Sequence, residues 1–238
     1  MNAQNRPTFT YLGHAAVRCD LPSGEVVLID PWVDGNPSCP DAAKSFDRVD
    51  AILLTHGHSD HVGDAVEIAK RHRPKIVVGT FELCAWLERQ GVKNCSGMNI
   101  GGSQRVLGTR VTQVQALHTS SIESGGEMLY GDSPTGYVVR LDEGYTFYHA
   151  GDTALFMDMQ LIAELYRPLL AFLPIGDRFT MDPHQAARAC KFLEVREVIP
   201  IHWGTFPLLT GTPEMLKNEI GNLGVNCEVI ALKPGEKY

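Results

Sequence analysis

A chain of 238 residues with 44% hydrophobic and 21% charged side chains has the make-up of a globular protein able to bury a sizeable core. Its formal net charge of −7 disfavours a broad basic face for duplex nucleic acid, while leaving room for one local anion pocket. No apolar run reaches the length of a membrane span, and Met1 to Pro7 lacks the apolar segment of a signal peptide, so a cytoplasmic chain without membrane contact is expected.

The six cysteines (Cys19, Cys39, Cys84, Cys95, Cys190 and Cys227) show no Cys-x-x-Cys spacing. Reduced, buried thiols fit that scatter better than a structural zinc site.

Taken in order, Thr8–Leu12 and Ala16–Asp20 read as strands, followed by a Leu21-Pro22-Ser23-Gly24 turn. Val26–Ile29 is a continuous apolar run, hence a buried strand. It ends at Asp30, which precedes Pro31 and is therefore expected to be extended. Residues 35–46 read as surface loop and 50–54 as a second buried strand. Val62, Ala65, Val66 and Ala69 share one helical face, which predicts a helix from Val62 to His72. Lys75–Gly79 reads as strand and Phe81–Gln90 as helix, with Gly91 past its end.

Short strands are expected over residues 98–117. The stretch 119–135 has no period and reads as a long loop, functional or mobile, that could cover a site. A hairpin over 136–149 and a helix over 158–166 follow, then a strand at 169–174. Asp182-Pro183-His184-Gln185 carries an N-cap, Pro at the first helical position and Gln two residues on. Strand 197–201, a helix opened by Thr212-Pro213 and a strand over 227–232 complete the chain. Strand-rich stretches that give way to alternating strands and helices recur twice. The α/β pattern predicts two β-then-α halves packed as one domain over 1–238, with mixed sheets inside and helices outside.

The chemistry concentrates in Thr55-His56-Gly57-His58-Ser59-Asp60-His61, on a strand-to-helix turn. At an extended strand end His56 and His58 point the same way, because side chains alternate with a period of two. Asp60 and His61 fall in the turn and at the helix start. Imidazole and carboxylate groups suit zinc, manganese and iron in hydrolytic sites.

This motif in this setting resembles the signature of the metallo-β-lactamase superfamily, over nearly the whole chain. Val27-Leu28-Ile29-Asp30-Pro31 resembles its first motif, His118 its third, Gly151-Asp152-Thr153 its fourth and Ile199-Pro200-Ile201-His202 its last. Within the superfamily, Tyr11-Leu12-Gly13-His14, His149-Ala150-Gly151-Asp152-Thr153 and Pro174-Ile175-Gly176 resemble the metal-dependent hydrolase family related to ascorbate-phosphate lactonase. The resemblance implies an αββα sandwich, two mixed sheets face to face with helices on both outer sides. It implies two divalent metal ions, with zinc or manganese favoured over iron. Metal 1 would be held by His56, His58 and His118, and metal 2 by Asp60, His61 and His202. Asp152 would bridge the two, and Asp30 would support the ligand turn from beneath. A hydroxide shared between the ions would be the nucleophile, with Asp60 and Asp152 as the carboxylates of the catalytic centre.

His14, His149, Arg178 and His184 are weaker candidates for the substrate pocket or for supporting the ligands. His14 and His149 sit near strand ends, Arg178 could clamp an anion, and His184 lies at a helix N-terminus. Trp203 is expected to pack in the core or wall the pocket. The leading expectation is hydrolysis of a small anionic substrate, a phosphodiester or small phosphorylated ester, with a lactone or other carboxylic ester as the alternative. A reading of another class is an iron-dependent oxidoreductase of the same fold. The flavo-diiron type, however, carries a carboxylate in place of His58 and an appended flavin domain. Thioesterases of the fold carry a longer C-terminal helical extension than the 36 residues after His202. Related enzymes often assemble, so a homo-oligomer is expected.

Overall fold

The computed structural model describes residues 6–238. The first sheet holds six strands in sequential order: β1 (Thr8–Gly13), β2 (Ala16–Asp20), β3 (Val26–Ile29), β4 (Ala51–Leu53), β5 (Ile76–Thr80) and β6 (Cys95–Met98). Its first three strands pair antiparallel, and β3 to β6 pair parallel. The second sheet is built from β7 (Ser103–Val106), β8 (Thr109–Gln115), β11 (Thr135–Leu141), β12 (Thr146–His149), β13 (Leu170–Pro174), β14 (Glu197–Ile201) and β15 (Glu228–Val229). Its order is β15-β14-β13-β12-β11-β8-β7, antiparallel from β7 to β12 and parallel from β12 to β15.

Inward-facing residues of both sheets form one apolar layer. In it Phe9 of β1 meets Phe147 of β12 and Phe172 of β13 edge-on, at ring-centroid distances of 4.9 and 5.1 Å. A second layer lies between the second sheet and helices α4 (Met159–Tyr166), α5 (Pro183–Leu193) and α6 (Pro213–Asn222). A third lies between the first sheet and α1 (Ser59–Val62), α2 (Ala65–His72) and α3 (Phe81–Arg89). The result is an αββα sandwich, as the sequence pattern predicts. No helix among the described residues is long and apolar enough to cross a membrane.

Local chemistry accounts for most boundaries. Asp182 caps α5 by accepting from Gln185 N at 2.7 Å with Pro183 at the first helical position, and Thr212 caps α6 by accepting from Met215 N at 3.2 Å. Elsewhere tertiary contacts override the pattern. The helix predicted from Val62 to His72 is two pieces, because Gly63 takes φ +39 where any Cβ would lie 2.6 Å from Trp32. Ile68 is buried in place of Val66. The last predicted strand is only two residues long. The chain beyond it returns to the first sheet, where Tyr238 and Phe9 exchange backbone bonds of 2.9 and 2.8 Å and cover the free edge of β1.

The stretch 119–135 is not an open loop. It contains a hairpin of β9 (Ser121–Ser124) and β10 (Glu127–Tyr130), whose two-residue turn Gly125-Gly126 has positive φ at both positions (62 and 81°). Two adjacent residues with positive φ are what a type I′ turn demands, and glycine meets the demand without steric cost.

Candidate metal centre

The candidate ligands follow the ends of strands along one rim of the sandwich. His56, His58, Asp60 and His61 follow β4, and His118 follows β8. Asp152 follows β12, and His202 directly follows β14. Loops after parallel strands are open to specialisation because the sheets beneath them are rigid.

His56, His58 and His118 bring one ligating atom each to within 4.8 Å of one another, and so do Asp60, His61, His202 and His14. Asp152 stands between the groups. Its Oδ2 lies 3.3 Å from His61 Nε2, 3.5 Å from His118 Nε2 and 3.1 Å from His202 Nε2. Burial alone would raise its carboxyl, but the nearby His202 and His61 outweigh that and hold it well below the usual carboxylate range. Burial and His61 push His56 well below an ordinary histidine, so it is neutral.

Hydrogen bonds fix which ring nitrogens face the centre. The Thr55 hydroxyl donates its single proton to Asp30 Oδ2 at 2.6 Å, so towards His56 Nδ1, 3.0 Å away, it can only accept. His56 therefore carries its proton on Nδ1 and turns the lone pair of Nε2 inward. His61 Nδ1 donates to the same Asp30 Oδ2 at 2.8 Å, which turns Nε2 toward the centre, 3.3 Å from Asp152 Oδ2. Asp30 Oδ1 accepts the Thr55 backbone N–H at 2.8 Å. This one fully buried carboxylate orients two ligands, a support typical beneath metal-binding histidines. Asp30 also corrects an expectation: before Pro31 it was expected to be extended, yet it takes φ +46. Three hydrogen bonds to its side chain compensate for that backbone conformation.

The donor set fits a cation on its own evidence. His61 Nε2 and Asp152 Oδ1 are buried in the centre without hydrogen-bond partners. His56 Nε2 lies 2.9 Å from His58 Nδ1, so without a cation it can take its proton only from that neighbouring ring. Lone pairs converging in a dry site are costly unless a metal or proton pairs them.

The weaker candidates separate. His14 is fully buried at the centre, between Asp60 Oδ2 and Thr205 Oγ1, each 3.0 Å from a ring nitrogen. His149 is core, stacked on Phe172. Its Nδ1 accepts from Gly151 N at 3.2 Å and its Nε2–H donates to Ala15 O at 3.1 Å, so it sets the turn that carries Asp152 without facing the pocket. His184 is exposed, bonded to Glu219 of α6 at 2.7 Å, and lines neither of the clefts beside the candidate ligands. Arg178 is exposed with its guanidinium over Phe179 at 5.6 Å, and among the described residues it makes no ion pair with the ligand group. Trp203 packs at the margin of two apolar layers and donates to Pro200 O at 3.0 Å.

Sequence reasoning missed several participants. Trp32 and Phe206 wall the His14 side, with rings 5.2 and 5.8 Å from His14. Gly176 packs on the His202 carbonyl so closely that a Cβ would lie 2.1 Å from it. Ser120 Oγ accepts from Gly57 N at 3.0 Å and donates to Asp132 at 2.5 Å. Thr55 stood within the ligand stretch and Gly176 within a motif of the resemblance, neither with a role; the others are brought in by tertiary packing.

The comparisons with known proteins agree with this geometry. Residues 25–203 match the model of the beta-lactamase superfamily domain. The chain is 51% identical over 229 residues to a UPF0173 metal-dependent hydrolase of Koribacter versatilis, covering 96% of both chains. It is 51% identical over 231 residues to one of Methanopyrus kandleri, covering 96% of this chain and 98% of that one. Among solved structures, Igni18, a metallo hydrolase of the archaeon Ignicoccus hospitalis, superposes with a TM-score of 0.86 at 34% identity over 98% of this chain and 97% of that chain. Half-identity along almost the full length, joined to this fold, makes the chain a metal-dependent hydrolase of the UPF0173 family, within the beta-lactamase superfamily.

Proposed function

We propose that the protein is a dinuclear hydrolase of phosphodiesters, with the whole chain acting as one catalytic domain. Metal 1 takes His56, His58 and His118, metal 2 takes Asp60, His61 and His202, and Asp152 bridges them. The observation that carries this reading is Asp152 Oδ2 lying between histidines of both groups, 3.5 Å from His118 Nε2 and 3.1 Å from His202 Nε2. When bound, two divalent ions, zinc or manganese by the donor set, supply a Lewis acid and lower the pKa of water toward about 7.

The chain's own residues do the rest. Asp30 and Thr55 keep the lone pairs of His56 and His61 aimed inward. His14 holds Asp60 in place. Trp32 and Phe206 shield one side from water.

Charge narrows the substrate. Two clefts of about 390 and 640 Å³ open beside His58, Asp60 and His118, and neither is lined by Lys or Arg. Two divalent ions would bring four positive charges, and Asp30, Asp60 and Asp152 would cancel three, with Glu123 and Asp132 adding negative charge at the cleft walls. At most one positive charge then remains, so a substrate carrying one negative charge or none is favoured over a dianion. A phosphomonoester dianion would be left with an unpaired charge in a site without arginine, which disfavours the phosphorylated monoesters that the sequence leaves open. A carboxylic ester or lactone is the second reading, because the same lining accepts an uncharged group.

Metal analysis of the purified protein, followed by assays on an aryl phosphodiester, the matching monoester and a lactone, tests this. Two ions per chain and turnover of the diester above the others are expected. Iron together with oxygen consumption overturns the reading in favour of oxidation. Full metal content and activity after Asp152→Ala or His118→Ala overturn the ligand assignment.

A further inference from the structure

We infer that the β9–β10 hairpin is a specificity arm that grips an apolar substituent of the substrate; the inference rests on the hydrolase reading above. The two faces of the arm differ. Cross-strand register pairs Glu123 with Met128 and Ser121 with Tyr130, and the period of two puts these four side chains on one face. Ser121, Glu123 and Met128 line the smaller cleft together with the ligands His58 and Asp60. Tyr130 lines the larger one together with His118, Leu117 and Ile100. Met128 is 79% exposed and Tyr130 84% exposed. Large apolar side chains left this open beside a reactive centre form a recognition surface for a group that arrives with the substrate.

The opposite face anchors the arm to the ligand turn. Ile122 is buried against Gly57, where a Cβ would lie 2.6 Å from its Cγ1. The base is pinned by Asp132, which is buried and accepts from the hydroxyls of Ser120 and Thr80. Ser120 also takes the amide of Gly57, the residue between His56 and His58. Thr80 caps α3 of the first sheet, so the latch ties arm, ligand turn and sheet together. Asp132 is thus a positioning residue that fixes the reach of Met128 and Tyr130 over the ligands. An isolated two-stranded hairpin is marginal in water, and this latch is what holds it in register.

The substrate class that follows is a phosphodiester with one aliphatic or aromatic ester group of several carbons, lying along Met128 and Tyr130. The test uses the metal-loaded protein and alkyl aryl phosphodiesters whose alkyl group runs from methyl to octyl. The wild-type kcat/KM is expected to rise roughly tenfold or more from methyl to octyl, about two buried methylene groups' worth at least. Met128→Ser with Tyr130→Ser is expected to collapse the octyl-to-methyl ratio toward unity through KM. Asp132→Ala is expected to reduce that ratio and to open Gly125-Gly126 to proteolysis, and Asp132→Asn to restore part of both. A second readout is independent of turnover: in protein labelled on its methionine methyl groups, 1-octanol should shift the Met128 resonance. An unchanged ratio in the double variant, or no shift with octanol, overturns the arm. A Met128 shift without hydrolysis of any diester leaves the arm standing and overturns the phosphodiesterase reading instead.

Discussion

Asp30 Oδ2 and His61 Nδ1 lie 2.8 Å apart, both fully buried, and the same oxygen takes the Thr55 hydroxyl at 2.6 Å. One atom thereby sets the tautomer of His61 directly and that of His56 through Thr55. Asp30→Ala should weaken metal affinity by about 10–100-fold, the usual cost of losing such a support. Competition with a chromophoric chelator measures it. Wild-type affinity in the variant would show that the two imidazoles orient themselves.

His14 and His202 are joined through the backbone. His202 N donates to His14 O at 2.7 Å, and both residues sit at positive φ (54 and 56°). A β-carbon at such φ is strained unless the side chain or its surroundings hold it there. His14→Asn should be milder than His14→Ala, because Asn tolerates this conformation and keeps a polar group toward Asp60. A lower metal content than in the wild type is the expected result for His14→Ala by elemental analysis, one ion per chain if the site is dinuclear as proposed. Equal metal content in both variants would assign His14 no hold on Asp60.

Gly176 leaves no space beside the His202 carbonyl. In Gly176→Ala the new methyl meets that oxygen at 2.1 Å, so the backbone carrying the proposed ligand His202 must move. Activity should fall at least tenfold and metal content should drop, whereas Gly24→Ala, with nothing within 4 Å but φ +92, should cost stability only. Thermal melts and metal analysis of the two variants separate these outcomes.

The metal-free protein should lose stability in acid. Burial pushes His14 down to about 4 against the pull of Asp60, and burial also lowers His149. An unfolded histidine titrates near 6.5, so between these values the unfolded chain binds protons that the fold refuses. Stability from these groups is full above about 6.5 and declines as pH falls toward about 4, by about 1.4 kcal/mol per pH unit for each fully linked proton. Asp152, held low by His202 and His61 despite its burial, adds loss in the same direction at lower pH. His61 runs the other way: despite burial it is raised by Asp152 and Asp30, and its contribution fades as pH climbs through that raised value. Urea midpoints at about pH 7 and about pH 5 decide the sign, and a higher midpoint in acid would contradict it.

The sequence by itself determined the parts that depend on neighbours along the chain. His56, His58, Asp60 and His61 are legible because a strand end and a helix start impose their own geometry on seven residues. The caps at Asp182 and Thr212 are legible for the same reason, whereas the hairpin turn at Gly125-Gly126 was missed, because the stretch around it has no period and reads as loop. Resemblance supplied His118, Asp152 and His202, which no local pattern marks as partners of the turn. Tertiary structure alone decided what crosses between the sheets and over the rim. It carried His14 to Asp60, turned Asp30 to a positive φ beneath two imidazoles, left His184 exposed and sent His149 into the core. It also hung the β9–β10 arm on Asp132. The physical reason is that a side chain's identity fixes what it can bind. What it meets depends on which strand ends the packed sheets bring to one rim, and local sequence does not encode that.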